Sequence, residues 1–586
     1  MRALTIFLAA VACVQAHAAV LTAGDLRVSF VGEQDAFLGA IEDTGARLTF
    51  RRAQPAITFI LEVRVNGEPR TLQASEATCT VARERDRLTH TYRFDDPGVT
   101  VVTEAAAVAG AIEFTARVDA DRPGVTLGAL EYPVFDRMGR PGGDRPLDYV
   151  LYPYASGRRF VPRAPAYTFG GAHIWPSAYC TMQWWAYCLQ EGRCLYLTTP
   201  DPAMYAKAMR YRPDEGDFRL GLIHYPEGMY ATRSYRTPYP LRLGVVAGDW
   251  YDCAREYRRW ALEQPWARGL RYRYDLPERI RANVWSQIDN GNVDREDTDE
   301  LEIAVARDLG VPMISHMYMW HQRIWRMDIL YPEFIPPHPW IPAVVARMQA
   351  ADIPVMPYVN ARLWDRNSPT WQERGADAAA LHSEGGEYYE ECGDEQRLLT
   401  AMDPTVPLWQ DTIAEVCRAV FEEVGCQGIY LDQIAAAPPR LDFSPGRNHP
   451  AGGGTWWVRG YEEMLAKIHA LMPAGSGRFL STESLAETYQ RQHALYLTSA
   501  GGKDLVPAFE SVYGETILEF GGSYDFDDLP RFRLQMTADL LYGLMPGWRW
   551  LGGGDRGFRP GMLAEGREAH REFAHRVAHV RAADVH

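Results

Sequence analysis

The sequence predicts a two-part chain, an N-terminal antiparallel β supersandwich over residues 19–270 followed by a (β/α)8 barrel over residues 271–586. Two observations predict it. Up to about Val245 the chain runs in short alternating stretches broken by turn residues. Beyond Arg271, apolar strand-like runs alternate with longer helix-like ones, which is the grammar of parallel βα units.

The first 18 residues precede both parts and read as an export signal. Arg2 supplies the positive end, Ala3 to Val14 a mostly apolar run, and Ala16-His17-Ala18 a small-x-small cleavage site. Ala10-Val11-Ala12-Cys13 is an imperfect lipoprotein box, a second route that would leave Cys13 lipidated. Either way the mature chain is expected in the periplasm or outside the cell. No later stretch reaches the ~18 uninterrupted apolar residues of a membrane helix, so no membrane span is expected.

In the sandwich, Leu26 to Phe30 and Thr58 to Val65 alternate as strands, and the second leads into Asn66-Gly67, a strong two-residue hairpin signal. Further strands are expected at Leu88 to Phe94, Val99 to Glu104 and Ile112 to Val118. A helix from Trp250 to Leu262, apolar at Tyr251, Ala254, Tyr257 and Ala261, carries the chain out of the sheets. The barrel strands are placed at Ala282 to Ile288, Met313 to Met319, Val355 to Ala361, Gly428 to Gln433, Phe479 to Glu483, Ala494 to Leu497, Val506 to Val512 and Gly547 to Leu551.

Composition narrows the function. With 61 Lys+Arg against 76 Asp+Glu the net charge is −15, and no basic patch appears, so a nucleic-acid partner is not expected. The aromatic content is high, with 17 Trp, 31 Tyr and 21 Phe. Trp is absent before Trp175 and frequent near the predicted barrel strand ends, so much of it is expected to line or support one cleft. Beyond Cys13, the close trio Cys180, Cys188 and Cys194 is where a disulfide is expected. Cys417 and Cys426 read as buried thiols.

A (β/α)8 barrel builds its site at the C-terminal ends of its strands. In Gly428-Ile429-Tyr430-Leu431-Asp432, alternation aims Gly428, Tyr430 and Asp432 at the barrel axis, and Glu483 ends the adjacent strand in the same position. Two carboxyls on neighbouring strand ends meet the requirement of glycosidic cleavage, with a separation of ~5 to 5.5 Å for retention and ~6.5 to 9.5 Å for inversion. Glu487 and Glu510 compete as acids, Glu510 from the inward phase of the seventh strand. Asp289 is expected to bind a hydroxyl; Asp365 and Asp403 read as loop or cap residues. Around them stand Trp320, His321, Tyr358, Asn360, Arg362, Trp364, Tyr430, His449 and Trp456, a mixture of flat rings and hydrogen-bonding groups suited to a sugar. Gly452-Gly453-Gly454 lacks the Gly-Lys-Ser/Thr ending of a phosphate loop. At least one of Trp456 and Trp457 is expected to anchor the following helix.

Three stretches carry a resemblance: Gly428 to Gln433, His449 to Trp457, and Ser481 to Glu487, together with Asp249 to Trp266. They resemble a glycoside-hydrolase-like family known through a domain of unknown function. More distantly, the chain is similar to endo-α-N-acetylgalactosaminidases and to the α-amylase and α-galactosidase barrels. The resemblance implies Asp432 as nucleophile, Glu483 as acid/base, a retaining mechanism on an α-glycoside, and a mutarotase-like supersandwich. Ser484-Leu485 stands where Gly-Asn would be expected, which bears on substrate choice.

The resulting expectation is an exported glycoside hydrolase acting on an oligosaccharide, polysaccharide or glycoconjugate. No redox cofactor or catalytic metal is expected, with room left for a structural calcium ion. Two alternatives stay open: a carbohydrate-binding barrel without catalysis, and a metal-dependent carbohydrate-active enzyme using Asp289, His316 and Asp432.

Overall fold

The computed structural model describes residues 19–32, 36–52, 57–162, 171–214, 217–289, 298–323, 327–394, 397–498, 502, 504–521 and 529–546. The side chains of residues 214, 287–289, 298, 392, 393, 529 and 532 lie outside that description. The predicted export signal and the eighth predicted strand, Gly547 to Leu551, also lie outside the described residues.

The N-terminal half is antiparallel sheet. A four-stranded meander from Ala19 to Arg51 precedes a ten-stranded and a six-stranded sheet. The two large sheets share a core in which Tyr92, Phe114 and Tyr187 of one meet Phe59, Phe135 and Phe218 of, or just beside, the other, with ring centroids 4.9–5.7 Å apart. Such edge-to-face contacts fill the space between sheets better than parallel rings. The predicted hairpin at Asn66-Gly67 is present; both residues hold positive φ, 52° and 89°, as its turn demands. Cys188 and Cys194 face each other across paired strands and form the disulfide expected within the trio, while Cys180, Cys417 and Cys426 are buried thiols.

The helix Trp250–Ala261 starts where Asp249 accepts the Tyr251 N–H at 2.8 Å and Asp252 accepts the Asp249 N–H at 3.1 Å, a reciprocal cap. Cys253, Ala254, Tyr257 and Ala261 form its buried face.

Eight parallel strands follow: β1 (Trp285–Asp289), β2 (Met313–Met317), β3 (Val355–Asn360), β4 (Gly428–Asp432), β5 (Phe479–Glu483), β6 (Leu495–Leu497), β7 (Leu518–Gly521) and β8 (Met545–Pro546). They pair in sequence order, and β1 lies beside β8, so the cylinder is nearly closed. A small three-stranded sheet, Leu363–Asp365 with Glu390–Asp394 and Arg397–Ala401, is inserted between β3 and β4. Inside the barrel, bulk and space alternate. A Cβ on Gly428 would come within 2.4 Å of the Phe479 ring, so the glycine makes room for its neighbour on the adjacent strand.

One predicted strand is corrected. Val506 to Val512 runs into the short helix Ala508–Tyr513, and the seventh strand is Leu518–Gly521. An apolar run of that length fits a buried helix and a buried strand equally, and Pro507 just before it starts the helix.

The barrel and the sheets are joined by buried polar contacts. Glu487 accepts from Trp175 Nε1 at 2.9 Å, from the Tyr257 hydroxyl at 2.9 Å and from the Tyr513 hydroxyl at 2.5 Å. The first two donors belong to the sheet half and its exit helix. The glycine run forms a second seam: a Cβ on Gly453 would lie 2.3 Å from the Tyr225 carbonyl oxygen, and Gly452 pairs with Glu227.

Candidate active site

Strand register sets the two acids side by side. β4 and β5 pair Tyr430 with Ser481 and Leu431 with Thr482, so the next step brings Asp432 opposite Glu483. On the other side β3 pairs Tyr358 with Tyr430 and Asn360 with Asp432. Alternation then aims Tyr358, Asn360, Tyr430, Asp432 and Glu483 at one end of the barrel axis.

Asp432 is buried, and its Oδ2 accepts from the Tyr358 hydroxyl at 2.8 Å and from Asn360 Nδ2 at 3.3 Å. The Tyr430 hydroxyl faces the same carboxyl and pulls its pKa down. Glu483 is half-buried, and strand register sets it beside Asp432, close enough for the two carboxyls to act on each other. Burial, and then the charge of Glu483, push Asp432 well above the carboxylate range, against the downward pull of the tyrosine hydroxyls. Burial raises Glu483 as well. Two carboxyls side by side with little solvent cannot both ionise cheaply, so the pair holds a proton between them.

Asn360 is itself fixed: its Oδ1 accepts the Arg362 and Leu363 N–H groups at 3.0 and 2.8 Å. The ring wall beneath the acids is tyrosine. Tyr318 stacks on Tyr358 at 4.9 Å, and Tyr358 on Tyr430 at 5.8 Å. His316 lies a layer deeper, 4.3 Å from the Tyr430 ring and 4.6 Å from Tyr318, and burial pushes its pKa down to about 3.

Several sequence expectations are corrected here. Trp320 is fully buried and donates Nε1 to the Tyr358 carbonyl at 2.8 Å, so it braces β3. His321 is buried against Trp320 and Phe334. Arg362 is fully buried, bonds Glu391 through Nε at 3.0 Å and lies over the Trp457 ring at 5.0 Å. Trp364 packs on Trp371 and Trp409 and donates to Ser368 Oγ at 3.0 Å. His449 Nε2 bonds Asp403 Oδ2 at 3.1 Å, and its ring stacks on Trp456 at 3.9 Å. Trp456 opens the helix Trp456–His469 and donates to the Gly452 carbonyl at 3.2 Å. All six hold the loops that frame the site. Their rings and charges find partners within the protein because the long loops fold back on one another.

Glu510 sits on the short helix Ala508–Tyr513, with both carboxyl oxygens buried. Burial pushes it up to about 7, and it faces Glu519 of β7. Since Phe520 points inward to His316, Glu519 points out of the barrel, and this second carboxyl pair lies away from the axis. Glu487, the other competing acid, is spent at the domain seam. The tryptophan expectation is corrected as to lining: Trp175, Trp184, Trp185, Trp285, Trp320, Trp364, Trp409 and Trp457 are fully buried, those near the site support it from behind, and tyrosines line the acids.

The Asp289 side chain lies outside the described residues, so the metal triad with His316 and Asp432 has no described geometry. Among the described residues, ligand-type atoms gather at Cys188, Cys194 and Cys253 and at Asp403, Asp442 and His449. The first group contains the disulfide, and Arg447 already lies 3.3 Å from Asp442 in the second.

The sequence reading missed Asp328 and Tyr331 in the loop after β2. The Tyr331 hydroxyl is 3.2 Å from that of Tyr358, and Asp328 raises both Asp432 and Glu483 electrostatically. It also missed Tyr318, which alternation along Met313 to Met319 could have found.

Fold and site together define a glycoside-hydrolase-like barrel behind a β supersandwich. Residues 235–524 match a domain of unknown function, DUF6259. A Monosiga brevicollis protein named "Putative glycoside hydrolase 22789" is 28% identical over 506 residues, covering 78% of this chain and 41% of its own length. The chain thus spans less than half of that relative. Among solved structures, the α-N-acetylgalactosaminidase NagBb of Bifidobacterium bifidum, in complex with GalNAc, is similar with a TM-score of 0.70 at 15% identity. That match covers 96% of this chain and 93% of that one. The GH36 α-galactosidase AgaA of Geobacillus stearothermophilus gives a TM-score of 0.52 at 11% identity, covering 96% and 86%.

Proposed function

We propose that the chain is an exported retaining α-glycosidase that releases a galacto-configured sugar, galactose or N-acetylgalactosamine, from a saccharide or glycoconjugate. The observation that carries the reading is the placement of Asp432 and Glu483 side by side at adjacent strand ends. A retaining pair works at ~5 to 5.5 Å, which suits carboxyls that act on each other from neighbouring strand ends, whereas an inverting pair would need room for a water as well. The sugar class rests on the substrates named in the similar solved structures, and export on the composition of residues 1–18.

In the first step an Asp432 oxygen bonds to the anomeric carbon as the glycosidic C–O bond breaks, and Glu483 gives its proton to the leaving oxygen. The Tyr358 hydroxyl and the Asn360 amide both donate to Asp432, which offsets part of the cost that burial puts on its charged form and suits it to attack while Glu483 carries the pair's proton. In the second step Glu483 takes a proton from water, whose oxygen displaces Asp432 from the anomeric carbon with net retention.

The test is proton NMR of the first-formed product from aryl α-galactosides and aryl α-N-acetylgalactosaminides. An α-anomer as first product supports the reading, and a β-anomer overturns the mechanism. Glycan binding without turnover would favour the carbohydrate-binding alternative. Mass spectrometry of the secreted chain, finding an N-terminus near Ala19, tests export.

A further inference from the structure

The loop after β2 brings a third carboxyl to the pair. Asp328 Oδ1 lies 3.4 Å from the Tyr331 hydroxyl, whose oxygen accepts the Asp328 N–H at 3.0 Å. That hydroxyl is 3.2 Å from the Tyr358 hydroxyl, which donates to Asp432. A continuous chain of hydroxyls therefore runs from Asp328 to Asp432. The single Tyr331 proton serves either Asp328 or Tyr358, one at a time.

The backbone is arranged around this chain. Asp328 and Leu330 hold left-handed φ of 62° and 53° although neither is glycine, a strained state that persists only where the surroundings over-determine it. Buried Asp365 supplies that constraint: its Oδ2 accepts the Leu330 N–H at 2.7 Å, and its N–H donates to the Tyr331 carbonyl at 2.9 Å. Tyr331 itself is fully buried, with its ring 5.2 Å from Phe334 and 6.1 Å from Tyr358.

We propose that Asp328 is a positioning residue that keeps one proton on the Asp432–Glu483 pair, acting through the Tyr331 and Tyr358 hydroxyls. A charged Asp328 draws the Tyr331 proton to itself, which weakens the donation that Tyr358 makes to Asp432. Its own charge acts in the same direction. A neutral group at 328 releases the proton to Tyr358, strengthens the bond onto Asp432 and lets the pair give up its proton more easily. The titratable groups facing the pair are Tyr318 from the end of β2, Asp328 and Tyr331 from the loop, Tyr358 from β3 and Tyr430 from β4. Burial holds all four tyrosines far above the working range, so Asp328 is the neighbour whose carboxyl a substitution can neutralise.

The inference rests on the α-glycosidase reading for its kinetic readout alone. The test compares wild type, Asp328→Asn, Tyr331→Phe and the double variant in two measurements. One is the pH dependence of kcat/KM on an activated aryl α-galactoside or α-N-acetylgalactosaminide; the other is a carboxyl 13C NMR titration of the pair. Asp328→Asn should move the basic limb and the pair's last proton loss down by about one pH unit, with KM within ~2-fold. In the Tyr331→Phe background the same change should move them by at most about half as much, and Asp328→Glu should restore the limb. A raised KM with an unmoved limb would make Asp328 a sugar ligand and overturn the proposal. An equal shift with and without Tyr331 would overturn the relay. If wild type turns over nothing but the NMR shift appears, the glycosidase reading fails and this one stands; an unmoved NMR titration defeats it.

Discussion

Gln433 and Ser484, the residues that follow Asp432 and Glu483, both hold left-handed backbone φ, 65° and 59°, although neither is glycine. The chain therefore turns off the barrel wall immediately after each acid, and the two strands end in the same way on either side of the pair. Such positions cost about 1 to 3 kcal/mol apiece. Gln433→Gly and Ser484→Gly should each raise the thermal midpoint while lowering kcat severalfold, because the acids lose a rigid exit. A variant with unchanged kcat would show that the turn does not hold the carboxyl.

Glu483→Gln should slow hydrolysis of glycosides with poor leaving groups by ~10²- to 10⁴-fold and spare activated aryl glycosides in the first step. Asp432→Asn should abolish turnover of both. Values of kcat/KM, which report the first step, on two leaving groups of different acidity check this. Equal losses for Glu483→Gln on both would remove its role as acid.

Tyr358→Phe removes the 2.8 Å bond onto Asp432. A hydrogen bond to a charged group contributes about 1.5 to 3 kcal/mol, so kcat should fall by roughly 10- to 100-fold. The acidic limb of the pH profile should move up, since that bond favours ionised Asp432. Rates for this variant between pH 4 and 8 decide the matter.

Burial pushes Glu487 and Glu510 up to about 7, above the ordinary value of 4.5. Between about pH 4.5 and 7 the folded chain keeps protons that the unfolded chain has released, so stability falls as pH rises through that window. Glu510→Gln removes one of these groups without opening a cavity. The thermal midpoint of that variant should exceed that of wild type at pH 7.5 and match it more closely at pH 5. A lower midpoint at pH 7.5 would show that the Glu510 charge is needed.

The two acids were legible because strand alternation and βα order are local properties: Gly428 to Asp432 and Phe479 to Glu483 announce their own phase. The tyrosine wall was half legible for the same reason, since Tyr358 and Tyr430 sit on strands. Trp320, Arg362, Trp364 and His449 were misplaced because whether a ring or charge faces a cleft or a loop depends on contacts between distant segments. Arg362 meets Glu391 and His449 meets Asp403, pairings that spacing does not reveal. Asp328 was invisible, being a loop residue whose position is fixed by Asp365 and a strained backbone.

Glu487 belongs to the barrel by sequence, yet two of its three bonded side chains, Trp175 and Tyr257, come from upstream of Arg271. A fragment begun at that point would carry a buried acid stripped of most of its donors, and Gly452, Gly453 and Gly454 would face water instead of Met229, Tyr225 and Glu227. The two halves are therefore not interchangeable cassettes. Grafting this barrel onto another β partner would require transplanting the indole and phenol donors along with it, so recombination should preserve the pair as a single inherited unit.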